Sequence, residues 1–180
     1  IRKAFTIGEI MKLCKSYRST FEITDFSQRI QTNHELEPII RHGEPPAILR
    51  FEDVKQEILG IFSIISSFKK SGYTSLGIVC KTETQARELS ESLRVHTGDI
   101  HFLSNQSSAF MKGIIVTSSH MAKGLEFDEV IVPYVNAKNY NSAIDKSMLY
   151  VAVTRAMHRL TLTYNGRPSE FIPASSDQNF

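Results

Sequence analysis

The chain has 180 residues, 41% hydrophobic and 22% charged, with a formal net charge of +2. That describes one sizeable globular domain, and the charge neither requires nor excludes a nucleic-acid partner, so the local placement of charge has to decide. No apolar run reaches membrane-spanning length and no signal-peptide pattern opens the chain. The two cysteines, Cys14 and Cys80, form no CxxC or Cys/His cluster, which argues against a zinc or disulfide framework and fits a cytoplasmic setting. Because the first residue is Ile1, the chain is expected to be a fragment of a longer protein.

In chain order, "KLCKSYRST" opens on a short apolar stretch and runs into a polar loop. A helix is expected next, with Ser19 and Glu22 as a capping box and Ile23, Phe26 and Ile30 at helical spacing. "HGEPPAILRF" reads as a turn followed by an edge strand, since Pro45 and Pro46 cannot donate to a ladder. "DVKQEILGIFSIISSFKKSG" is amphipathic, with Val54, Ile58, Ile61, Ile65 and Phe68 on one stripe and Gly72 as the stop. "TSLGIVC" is a buried strand, and "TETQARELSESLRV" a threonine-capped helix. "DIHFL", "GIIVT" and "EVIVP" are of strand length; "SAIDKSMLYVAVTRAMH" reads as a helix and "RLTLTY" as a last strand. Strand and helix alternate, so the expected fold is α/β with a mainly parallel sheet. The domain is expected to span 1–166, with 167–180 a partly disordered tail.

Three segments offer polar groups where ligands of parallel sheets collect, outside the carboxyl ends of strands: "SYRST", "TSSHMAKGLEF" and "VAVTRAMHR". Their cations are Arg18, Lys123 and Arg155. Two arginines from separate segments can clamp a transferring phosphoryl group, because the planar fork donates several hydrogen bonds and stays charged. Taken singly, each has an ordinary explanation: a solvated arginine, a helix-end Arg155, a surface Glu126. The middle segment is not a P-loop, since Lys123 is followed by Gly124 rather than Ser or Thr. The acidic pair Asp128–Glu129 precedes its apolar run, unlike a magnesium-binding carboxylate at a strand end, and reads as structural.

Together, "KSYRST", "TSSHMAKGLEFDEVIVP" and "MLYVAVTRAMHRLTLTY" resemble motifs IV, V and VI of superfamily 1 helicases of the UvrD/Rep type, in that order, from about Lys12 to Tyr164. Among subfamilies they look most like the helicase IV type and its RNA-polymerase-associated relatives. The resemblance implies the second RecA-like motor domain, a three-layer α/β fold here lacking its own P-loop, in an ATP-dependent DNA helicase or translocase. A remodelling factor that uses the same motor to displace RNA polymerase is the alternative. ATP and Mg2+ would be held mainly by the N-terminal RecA-like domain, and this chain alone would hydrolyse no ATP.

By the same resemblance, Tyr17 stacks on adenine, Arg18 meets the γ-phosphate, Glu126 lies near the ribose, and Arg155 is the finger. Gly124 would let the backbone approach closely. Ser118 and His120 match positions that contact single-stranded DNA, although a satisfied loop histidine competes with that role. Lys123 supports either phosphate or the loop itself. No metal ligand is expected in this chain. The short connection between the first two motifs leaves no room for the accessory 2B insertion of larger relatives.

Overall fold

A computed structural model describes residues 19–31, 41–104 and 113–173, together with the backbone of 15–16 and 37–38. Two short strands, β1 (Lys15–Ser16) and β2 (Glu37–Pro38), pair in parallel beside the main sheet. The main sheet contains β3 (Ala47–Phe51), β4 (Ser75–Cys80), β5 (Ile100–Phe102), β6 (Gly113–Ser118), β7 (Phe127–Val132) and β8 (Ala156–Asn165). Their spatial order is β3-β8-β7-β4-β6-β5, and every neighbouring pair is parallel. The Pro-flanked β3 lies at an edge, where missing donors are tolerated.

Among the described residues, four helices cover the two faces. Helices α1 (Phe21–Ile30) and α4 (Ala143–Val153) pack on one face through Ile23, Phe26, Ile30, Leu149, Ala152 and Val153. On the other, α2 (Val54–Phe68) and α3 (Glu83–Arg94) pack through Ile61, Ile65, Phe68, Ala86, Leu89 and Leu93. The strands between feed both layers by alternation: in β4, Leu76, Ile78 and Cys80 face α2 and α3, and Val79 faces α1 and α4. The pairing of β7 with β8 shifts register between Phe127/Glu129 and Ala156/Arg159, with one extra residue on the β8 side. The Phe127 ring lies over Gly77, where a Cβ would stand 2.4 Å from it, so β4 needs a glycine there.

Three local expectations change. The Ser19–Glu22 capping box does not form: Thr20 is the N-cap, the Ser19 hydroxyl donates to Ala156 O at 2.6 Å, and the Glu22 carboxylate accepts from His42 and Gly43 N. Both side chains are drawn into contacts distant in sequence. In α2 the apolar stripe turns away at its start, where Val54 is exposed and Glu57 is fully buried. The last helix stops at Val153 instead of running through His158. Residues 156–159 join β8, which gains ladder bonds to β7. Tertiary pairing there outweighs the helical propensity of "TRAMH".

Candidate ATP-facing edge and nucleic-acid groove

Because all six strands are parallel, the sheet has one carboxyl edge and one amino edge. Ser118 ends β6 at the carboxyl edge. Residues 119–126 then cross the α1/α4 face, burying Ala122, and reach the amino end of β7 at Phe127. Helix α4 makes the same crossing beside this loop and delivers Arg155 to the amino end of β8. Glu126 and Arg155 therefore stand at the amino edge, and the carboxyl-end rule misassigned them. Among the described candidates, Ser118 alone ends a strand at the carboxyl edge, and His120 follows it at the start of the crossing.

Arg155 is half-buried and held at each guanidinium nitrogen. Nε donates to Val151 O at 3.1 Å, NH1 to Leu125 O at 3.2 Å, and NH2 to Thr154 Oγ1 at 3.1 Å. The Phe127 N–H donates back to Arg155 O at 3.0 Å. Arg155 is thereby fastened to the backbone on both sides of Glu126. A third segment joins them: Ser19 Oγ bonds Ala156 O, Thr20 N donates to Met157 O at 3.2 Å, and Arg41 donates to Met157 O at 2.9 Å. Tyr17 and Arg18 lie outside the described residues, but the residue following them is tied to the residue following Arg155.

The crossing loop and α4 enclose a groove of about 180 Å³ lined by Ser119, His120, Lys123, Ile144, Met148 and Val151, among others. His120 and Lys123 are exposed on the loop side, and Ile144 is 69% exposed on the helix side. Gly124 has φ +89°, a left-handed conformation that turns the loop toward β7. Ser118 is buried, and its Oγ accepts a long bond from Met121 N at 3.4 Å, so it caps the loop from within.

Asp128 and Glu129 have structural partners. Asp128 Oδ2 accepts from the N–H and hydroxyl groups of Thr74 and Ser75 at 2.8–3.1 Å. Burial pushes its pKa up, and these bonds more than offset that, leaving it below the usual range. Glu129 pairs with Arg159 at 3.3 Å; burial outweighs that pairing and raises its pKa. Among the described residues, no group of three or more His, Cys, Asp or Glu could hold a metal ion.

Three polar features escaped the sequence reading. Glu57 accepts from Tyr134 N, Thr163 Oγ1 and Asn165 Nδ2 at the carboxyl ends of β7 and β8. Lys81, just after β4, pairs with Asp145 at 2.5 Å and also donates to Asn139 O. Burial raises the Asp145 pKa less than these bonds and the helix-cap bonds lower it. The Ser142–Asp145 spacing of a capping box was a visible signal for this cluster. Thr154, within the motif itself, was passed over.

Residues 113–163 match the family model of the UvrD-like helicase C-terminal domain. The crystal structure of the C-terminal domain of a possible DNA helicase from Lactobacillus plantarum WCFS1 superposes with a TM-score of 0.76 at 28% identity, covering 90% of this chain and 95% of that one. Arterivirus nonstructural protein 10 (helicase) gives TM-scores of 0.45 in complex with DNA and 0.47 alone, at 15% and 14% identity, over 75% of this chain and about a third of that one. No curated protein matches. In its α/β RecA-like sheet and in the sequence of residues 113–163, this chain is similar to the C-terminal domains of UvrD-like helicases.

Proposed function

We propose that this chain is the second motor domain of an ATP-dependent DNA helicase or translocase, and that its amino edge completes an ATP site shared with a partner motor domain. The observation that carries this reading is the fastening of Arg155, by three hydrogen bonds, beside Glu126 and the segment that follows Arg18. An arginine so held meets charge that grows on a transferring phosphoryl group without reorganising. Arg18 would approach the same phosphate, Tyr17 the adenine and Glu126 the ribose. The residues fit phosphate but not Mg2+: Asp128 and Glu129 already have partners, so the metal and the phosphate cradle belong to the partner domain.

The groove between the crossing loop and α4 is the proposed contact for single-stranded DNA. His120 would stack on a base or donate to phosphate, Lys123 would neutralise phosphate, and Ile144, Met148 and Val151 would form the apolar wall. Residues 41–104 are taken up by β3, α2, β4, α3 and β5, so we infer that no accessory domain is inserted between the first two motifs.

The test is Arg155→Ala in the intact protein that carries this chain. Turnover should fall about 1000-fold or more while nucleotide binding changes much less. Arg155→Lys should rescue it only partly, because a point charge lacks the fork. Wild-type turnover in Arg155→Ala would refute the reading.

A further inference from the structure

We infer that Thr154 is a positioning residue for Arg155, acting by presenting its hydroxyl oxygen to the guanidinium. This rests on the reading that Arg155 meets the transferring phosphoryl group. Thr154 is the C-cap of α4, with φ −73° and ψ 0°. Its Oγ1 lies 2.9 Å from Tyr150 O and 3.0 Å from Val151 O, so the hydroxyl proton points back into the last helical turn. The lone pairs are left to accept from Arg155 NH2 at 3.1 Å. A hydroxyl has one proton and two acceptor sites, and here the helix carbonyls fix which part faces the arginine. The β-branched side chain has few χ1 alternatives, which stiffens the arrangement.

Geometry makes the third contact matter. Nε on Val151 O and NH1 on Leu125 O are two points, and a plane held at two points can still rock about the line joining them. The bond to Thr154 adds a point off that line and so acts on the tilt of the fork. Val151 and Thr154 belong to the end of α4, whereas Leu125 belongs to the crossing loop. The arginine is therefore aimed by two elements that meet only in the folded chain.

The experiment uses the intact protein with saturating single-stranded DNA and γ-labelled ATP, which reads very slow turnover. Thr154→Val keeps the shape and removes the acceptor; Thr154→Ser keeps the acceptor. Thr154→Val should lower kcat by about 10- to 100-fold, the size expected when a catalytic group is misaimed. The KM for ATP and the melting temperature should stay near wild type. Thr154→Ser should restore most of kcat. In an Arg155→Ala background, Thr154→Val should add nothing, since the group it aims is gone. Wild-type turnover in Thr154→Val, equal impairment of the Ser and Val variants, or an additive loss in the Arg155→Ala background would overturn the proposal. Arg155→Ala at wild-type turnover would remove the ATP-site reading, and this inference with it. A large loss in Arg155→Ala with an unaffected Thr154→Val would overturn the Thr154 role alone.

Discussion

Glu57 offers the sharpest test of how the carboxyl edge is held. It is fully buried on α2, and its two oxygens collect three donors: Thr163 Oγ1 at 2.6 Å, Asn165 Nδ2 at 2.6 Å and Tyr134 N at 2.9 Å. Tyr134 has φ +61°, a conformation unfavourable to a residue with a side chain, and the bond to Glu57 helps hold it there. Glu57→Ala would strand the Thr163 hydroxyl and the Tyr134 N–H, while the half-exposed Asn165 amide can reach water. Two stranded groups at about 1–3 kcal/mol each make about 2–6 kcal/mol, and no longer burying a carboxylate lowers the expected loss to about 1–5 kcal/mol. Glu57→Gln keeps an oxygen for Tyr134 and Thr163 and asks only that the Asn165 amide turn over, so its loss should be about 1–2 kcal/mol. Urea unfolding followed by circular dichroism reads both, with an unchanged slope showing that the unfolded state is the same. A loss under about 1 kcal/mol in Glu57→Ala, or equal losses in the two variants, would refute the reasoning.

Other consequences follow from the same structure. Gly124→Ala should destabilise by about 1 kcal/mol in urea unfolding through backbone strain alone, because a Cβ there would meet no atom within 4 Å. Asp128 has a depressed pKa in the folded chain, so its contribution is present above its unfolded pKa of about 3.9 and is lost as pH falls through the folded value. Asp128→Asn should therefore be less stable at neutral pH and converge on wild type in strong acid; parallel curves from pH 7 to 2 would contradict this. Lys123→Ala should weaken binding to single-stranded DNA regardless of sequence and reduce the slope of log affinity against log salt by about one unit, measured by fluorescence anisotropy. His120→Ala should weaken binding with a smaller change in that slope, since part of its contact is stacking.

What the sequence determined is local. Apolar spacing placed α2 and most strands, because side-chain periodicity reflects which face each segment buries, and a threonine cap placed α3. The absence of Ser or Thr after Lys123 excluded a phosphate cradle in that loop, and three ordered motifs pointed to half of a split site. The tertiary structure decided where those motifs stand. β6 and β7 both run parallel to β4, so the loop after Ser118 had to cross the sheet, and it carried Glu126 to the amino edge. Pairing of 156–159 with β7 ended α4 early and left Arg155 in the turn between them. Ser19 and Glu22 had a capping spacing, yet Ser19 went to a carbonyl 137 residues away. Glu57 gave no signal in the sequence; β7 and β8 brought three donors to it. Such contacts depend on which strands become neighbours, and strand neighbours are chosen by packing of the whole sheet rather than by any periodicity within one segment.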